Sequence, residues 1–386
     1  MKCLSTKATS IKPSGIRKFF DLASTMEGVI SLGVGEPDFA TPWHICENAI
    51  HYMSTGHTHY TANRGLLELR EEICKFHKEH YNQVYDPENE VIVTIGGSEA
   101  IDLCMRALLN PGDEVIVLDP NYVAYAPSVT LSDGIVVPLQ LKEENDFKIL
   151  PEDLKKVITP KTKAMIINYP SNPTGGVMTK EDYAKIIDII KESGIYVISD
   201  EIYAELSFDQ PFASLAQFDE IKSQIIVVNG FSKAYAMTGW RLGYCMANKE
   251  LSSVMNKIHQ YVIMSAPVMS QYAGIEAIKN GYNDVLMMKD DYLKRRNFLV
   301  NRLNRMGLKT NMPHGTFYVF CNIQSTGLDS ETFCERLLQE QKVACVPGNA
   351  FGDSGEGYVR ISYAYSIDHI KEAVVRLEQF LKDLEN

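Results

Sequence analysis

The sequence predicts an α/β fold, with a mainly parallel central sheet carrying helices on both faces and a smaller α+β domain beside it. Three observations predict it. Between about Asn89 and Asn229, short runs rich in Val and Ile alternate with longer stretches of helical period. Towards the C-terminus the order of elements changes to strand, helix, strand, helix. The chain is 386 residues long, more than one average domain. The expected division is a large domain over 46–285 and a discontinuous small domain made of 1–45 and 286–386.

Taken in order, the predicted strands of the sheet are Val91–Ile95, Glu114–Leu118, Lys163–Asn168, Ile195–Ser199 and Ile225–Asn229. Each is short and rich in β-branched residues, which suits a strand buried on both faces. Between the third and fourth, Thr179 and Asp182 have the spacing of a capping box, ahead of Tyr183, Ile186, Ile187 and Ile190 at helical intervals. A crossover helix is expected there. In the smaller domain, strands are expected at Thr316–Cys321 and Tyr358–Tyr363, with a helix near Ser330–Gln341 and a final amphipathic helix after Ser366.

Composition narrows the function. A formal net charge of -11 repels nucleic-acid backbones and anionic membranes, so a bound phosphate would need its own local pocket. No apolar run approaches the ~20 residues of a membrane span, and the opening MKCLSTKATSIKPSG lacks the apolar core of a signal peptide. A cytoplasmic protein is expected. The 8 cysteines are scattered without a C-x-x-C pair or zinc spacing, as expected of small apolar residues in a reducing compartment. His77 and His80 lie in a charged stretch with Glu79 alone beside them, and read as a solvated helix face, not a metal site.

The residues able to do chemistry cluster just past the carboxyl ends of the predicted strands. Gly96, Gly97 and Ser98 follow the first, Asn172 the third, Asp200 and Tyr203 the fourth, and Ser232 and Lys233 the fifth. In an open parallel sheet that edge binds ligands. The glycine pair lets an anion approach the amides of a helix start, although a tight turn without ligand would look the same. Gly33 and Gly35 are no dinucleotide fingerprint, because Glu36, Pro37 and Asp38 follow in place of a helix.

A lysine at a strand end among apolar neighbours can lose its proton by desolvation and become a nucleophile. Lys233 fits that description, and Arg241 further on offers a forked donor for phosphate. Asp200, after the apolar run I-Y-V-I-S, needs a cationic partner if it is buried. The protonated ring nitrogen of pyridoxal phosphate is one such partner, and Tyr203 could donate to that ring's phenolate oxygen. A helix-start Asp and a core Tyr would explain these two residues equally well.

Seven segments carry a resemblance: GVGEPDF (Gly33–Phe39), YTANRGLLELR (Tyr60–Arg70), GGSE (Gly96–Glu99), NYPSNPTG (Asn168–Gly175), SDEIY (Ser199–Tyr203), Gly230–Gly243 and YVRISY (Tyr358–Tyr363). From about Pro13 to the C-terminus the chain resembles the class I aminotransferases, pyridoxal-phosphate enzymes with the aspartate-aminotransferase-like fold type I. Within that class it is similar to the bacterial and archaeal branch that includes aromatic amino-acid aminotransferases.

The resemblance implies pyridoxal 5'-phosphate as cofactor and a role for each residue. Lys233 would hold the cofactor as a Schiff base and shuttle the proton, with Asp200 on the pyridine nitrogen, Asn172 and Tyr203 on the phenolate oxygen, and Tyr122 stacked on the ring. Gly97, Ser98, Ser232 and Arg241 would surround the phosphate. Arg360, helped by Gly35 and Asn172, would grip the substrate α-carboxylate. Tyr60 would reach the phosphate of a neighbouring subunit, making the active unit a homodimer with shared sites.

Ser98 stands where certain relatives that favour acidic substrates have a lysine, which weakens an aspartate-only assignment. Phe19, Phe20, Tyr122 and Tyr318 could line an apolar side-chain pocket or simply pack a core. The implied reaction moves an amino group from an aromatic or broad range of L-amino acids to a 2-oxo acid such as 2-oxoglutarate. The alternatives are a C–S β-lyase or decarboxylase with the same cofactor, or a ligand-sensing relative without catalysis.

Overall fold

The computed structural model describes residues 3–11 and 26–385. Its strands are β1 (Ile30–Ser31), β2 (Val91–Thr94), β3 (Glu114–Asp119), β4 (Ile135–Gln140), β5 (Thr162–Asn168), β6 (Tyr196–Asp200), β7 (Ile225–Gly230), β8 (Gly243–Met246), β9 (Tyr318–Asn322), β10 (Val343–Ala344), β11 (Val346–Pro347) and β12 (Tyr358–Ser362). Seven of them form the central sheet in the order β2-β8-β7-β6-β5-β3-β4. All neighbours from β7 to β4 are parallel, and β8 alone runs against its partners.

The five expected strands are present to within a residue or two at each end, because their Val and Ile side chains are buried on both faces. Helices cover the sheet on each side. One layer packs Ala100, Ile101, Leu103, Cys104 and Met105 of the helix Gly96–Leu108 against Val115, Ile166, Ile198 and Val228. The other packs Leu69 and Ile73 of the helix Leu67–Tyr81, together with Tyr183 and Ile190, against Val93, Met165 and Val227. A third core lies around the antiparallel sheet β11-β12-β9 and includes Leu299, Phe333 and Phe380 from the C-terminal helices.

The capping box forms as expected: Thr179 Oγ1 accepts from the Asp182 amide at 3.1 Å, and Asp182 Oδ2 accepts from the Thr179 amide at 3.2 Å. The crossover is nevertheless not one helix. It breaks at Lys185–Ile186 into Lys180–Ala184 and Ile187–Ser193. All four apolar positions still reach the core, so burial is kept through the break. In the second half of the chain, the helix Tyr282–Arg305 runs through residue 286 without interruption. The helix Ser330–Gln341 and the final helix Ile367–Glu385 match expectation. No helix among the described residues is long and apolar enough to cross a membrane.

His77 departs from its expected place. It is fully buried, with Nδ1 2.7 Å from Gln83 Oε1 and Nε2 2.8 Å from the Tyr244 hydroxyl, and burial pulls its imidazole down to about 4. Leu69, Ile73 and Tyr81 share its helical stripe at steps of four, which is the signal that places it inside. His80 stacks on Phe76 with ring centroids 4.2 Å apart.

Candidate active site

A cavity of about 560 Å³ lies along the edge where the parallel strands end. Six elements of the sheet feed it. Gly97 and Ser98 come from the helix start after β2, Tyr122 and Tyr125 from the segment after β3, and Asn168 and Asn172 from the end of β5 and its loop. Asp200 and Tyr203 follow β6, and Ser232 and Lys233 follow β7. Arg241 arrives from the opposite direction. Because β8 is antiparallel, its first residue, Gly243, pairs with Thr94 and Gly230, and the residues just before it reach the same edge. Val34, Gly35, Tyr318 and Arg360 close the other side.

Close backbone approach is a requirement where Gly96 meets Gly243. A Cβ on Gly243 would fall 2.6 Å from the Gly96 carbonyl carbon, and Gly96 has φ +70 with room only for a hydrogen beside the Arg241 guanidinium. These two glycines hold the helix start, whose first amides lack intrahelical partners, against Arg241. The result is a cradle with the donors and the positive charge an anion needs.

Two ionisable groups in the cavity are displaced by desolvation. Lys233 Nζ donates to the Gly35 carbonyl at 2.7 Å, and loss of water brings its ammonium down to about 8. Arg360 and Arg241 push the same way, against the nearby carboxylates of Glu36 and Asp200. Asp200 is pushed up to about 6 by burial, and the hydrogen bonds it accepts from the Tyr125 hydroxyl (2.7 Å) and the Ile202 amide (3.1 Å) offset only part of that. Its side chain faces the cavity without a cation in contact.

Arg360 is held by neutral partners. It donates to Asn172 Oδ1 at 2.9 Å and to the Gly33 carbonyl at 2.6 Å, and its guanidinium sits 4.2 Å from the Tyr318 ring centroid and 4.8 Å from that of Phe351. Its Nε is buried with no hydrogen-bond partner. A buried guanidinium with an unused donor suits a planar anion such as a carboxylate. The backbone of Asn172 is itself fixed, since its main-chain N–H donates to Asn168 Oδ1 at 3.0 Å.

Residues 27–377 match the family described as aminotransferase class I and II. The chain belongs to that family. It is 51% identical to the putative aminotransferase YugH of Bacillus subtilis over 98% of both chains. It is 44% identical to an aspartate aminotransferase of Pyrococcus abyssi, again over 98% of both. The crystal structure of an aromatic aminotransferase from Pyrococcus horikoshii superposes with a TM-score of 0.91 at 43% identity, covering 96% of this chain and 99% of that one. The chain is therefore an aminotransferase with the expected fold, in a class that depends on pyridoxal phosphate. These relatives favour transamination over lyase, decarboxylase or sensor readings.

Of the residues expected in this aminotransferase site, all but Tyr60 line the one cavity. Tyr60 stands outside it and is 82% exposed. Tyr125 was not expected: it reaches Asp200 across 75 residues of sequence, and spacing in the chain carries no sign of that contact. Tyr318 shares a hydrogen bond with Tyr203 at 3.0 Å between hydroxyls, so it combines packing with a polar contact at the cavity wall. Phe19 and Phe20 lie outside the described residues.

Proposed function

We propose that this aminotransferase carries amino groups from aromatic or a broad range of L-amino acids to a 2-oxo acid such as 2-oxoglutarate. The observation that carries the reading is the meeting in one cavity of an amine whose ammonium desolvation brings down to about 8, a buried carboxylate without a cation and a buried guanidinium with an unused donor. Each lacks what pyridoxal phosphate or an amino-acid substrate would bring. The residues fit the cofactor. Lys233 would hold its aldehyde carbon, Asp200 its ring nitrogen, Asn172 and Tyr203 its phenolate oxygen and Tyr122 one face of its ring. Gly97, Ser98, Ser232 and Arg241 would hold its phosphate.

When bound, the cofactor supplies an electron sink for the charge left on the substrate Cα. The chain's own residues do the rest. Arg360 grips the α-carboxylate with Gly35 and Asn172 at its sides, which fixes the direction of the Cα–H bond. Lys233 Nζ, whose ammonium desolvation brings down to about 8, takes the Cα proton when unprotonated and keeps it inside the cavity. Asp200 stays ionised once a cation faces it, because a charge partner reverses the upward push of burial.

The tyrosines and Val34 around the cavity support an apolar side-chain pocket, and Ser98 leaves the cradle without the extra cation an acidic substrate would favour. Relatives with aspartate and with aromatic names both stand near this chain, so breadth is part of the proposal. The proposal also includes a cytoplasmic homodimer in which the exposed Tyr60 reaches the partner's phosphate, and the division at 46–285. Mixing Tyr60→Phe with Lys233→Ala chains tests the sharing: activity above that of either parent supports it, and no gain refutes it. Half-reactions with Phe, Tyr, Asp and Leu test the donor, and a preference for Asp over the aromatics by tenfold or more would refute the pocket assignment.

A further inference from the structure

We propose that Glu99 and His259 form a positioning pair that aims the amides of the phosphate cradle and ties them to the segment carrying Tyr60. The proposal rests on the reading above that Gly97 and Ser98 hold the cofactor phosphate. Glu99 lies in the first turn of the helix Gly96–Leu108 and has almost no exposed side chain. Its Oε2 accepts from the Ile95 amide at 2.5 Å, and its Oε1 lies 2.5 Å from His259 Nδ1. His259, fully buried on the helix Lys249–Val262, places Nε2 2.9 Å from the Asn63 carbonyl.

A carbonyl can only accept, so His259 Nε2 carries a hydrogen. The contact with Glu99 then contains one more, and the chain of bonds from Ile95 to Asn63 is continuous. Its far end is firmly seated. The Arg64 carbonyl accepts from the Val93 amide at 3.0 Å, Leu66 donates to Gln271 Oε1 at 2.7 Å, and Gln271 Nε2 donates to Thr61 Oγ1 at 3.2 Å. Tyr60 leaves the chain immediately before that anchored stretch.

Apolar side chains could fill the same space without the cost of burying a carboxylate and an imidazole. What they could not do is fix direction. The bond from Glu99 to Ile95 and the bond to His259 together set the rotation of the helix start, and that rotation aims the Gly97 and Ser98 amides. Loss of the pair should therefore weaken binding of a phosphate group far more than binding of the ring that carries it.

Titrating the apoprotein with pyridoxal phosphate and with pyridoxal, which lacks the phosphate, reads this directly. Glu99→Ala should weaken the first by about 10- to 100-fold and the second by less than about 3-fold. Glu99→Gln should stay within about 3-fold of the native protein for both, because its amide can accept from Ile95 and donate to His259 Nδ1. Equal weakening of both ligands by Glu99→Ala, or a Gln variant as weak as the Ala variant, overturns the proposal.

Should Glu99→Ala fail to fold, hydrogen exchange on the Tyr60→Phe apoprotein decides, because that change removes the direct contact proposed across the dimer. Inorganic phosphate should slow exchange at Gly97–Ala100 and also at Thr61–Gly65, and slowing confined to the first segment overturns the link. A native protein that binds pyridoxal phosphate no better than pyridoxal refutes the cradle assignment instead.

Discussion

Asp200 and Glu201 are neighbours in the chain, both are buried, and desolvation pushes both towards protonation, to about 6 and about 7. They differ in what they face. At the end of a strand successive side chains point to opposite sides. Asp200 opens onto the cavity beside Tyr125, while Glu201 turns into the core, where Oε1 accepts from Ser199 and Ser214 and the Gln83 side chain also favours its charged form. A displaced carboxylate alone does not mark a working site. It does so when space for a cationic ligand lies in front of it; otherwise it is a cost carried by the fold.

If function is confined to the cavity side, the largest loss belongs to Lys233. Lys233→Ala should lower transamination by more than about a thousandfold, since it removes both a nucleophile and the proton carrier. Borohydride treatment in the presence of cofactor should label the native protein at Lys233 and leave the variant unlabelled. Normal turnover by the variant would break the assignment of the cavity itself.

Asp200→Asn comes next. Turnover should fall by about 100- to 1000-fold, because a neutral amide cannot hold the ring nitrogen protonated. The urea midpoint at pH 8 can move either way, since the change removes a buried charge but sets an amide nitrogen where one oxygen accepts from Tyr125 or Ile202, so turnover is the quantity that decides. A variant that keeps its turnover would move Asp200 into the same class as Glu201.

On the facing wall, Arg360→Ala should raise KM for the amino acid and for the 2-oxo acid by about 30- to 100-fold, equivalent to about 2 to 3 kcal/mol of a charge-assisted contact. Affinity for the cofactor should change little. Steady-state kinetics together with a cofactor titration separates the two, and a loss confined to cofactor affinity would reassign the arginine.

How far the sequence could be read follows the same division between what is local and what is not. The strands β5, β6 and β7 were legible because burial on both faces leaves unbroken apolar runs, Ala164–Ile167, Val197–Ile198 and Ile225–Val228. The edge strand β4 was not predicted: exposure at Ile135, Pro138 and Gln140, and the proline itself, break that pattern. The strand β8 was hidden too, being only four residues, Gly243–Met246, that begin at the last glycine of the Gly230–Gly243 motif. The break at Lys185–Ile186 leaves the apolar spacing intact and so leaves no mark in it. In the site, residues beside strand ends could be read from position and from family resemblance, whereas the Tyr125–Asp200 and Glu99–His259 contacts exist only because the fold brings distant segments together.

Glu201 gives the smallest effect on catalysis and the sharpest test of the comparison. Its ordinary value of 4.5 applies to the unfolded chain and about 7 to the folded one. The folded protein therefore holds the proton more tightly, and the stability linked to it is fully present below about pH 4.5 and lost as pH rises through about 7. The difference corresponds to roughly 3 kcal/mol at most. Glu201→Gln removes the titration while keeping an oxygen for Ser199 and Ser214. Its amide nitrogen adds a donor where the carboxylate has Oε2, so absolute stability can move either way and the slope against pH is the quantity to compare. Urea midpoints between pH 4.5 and 8.5 should decline for the native protein and run flatter for the variant, with transamination within about threefold of native. An unchanged slope would mean that Glu201 does not carry the linked proton. A fall in turnover as large as that of Asp200→Asn would mean that the two sides of the strand end act as one site, and the distinction between an open and a closed carboxylate would fail.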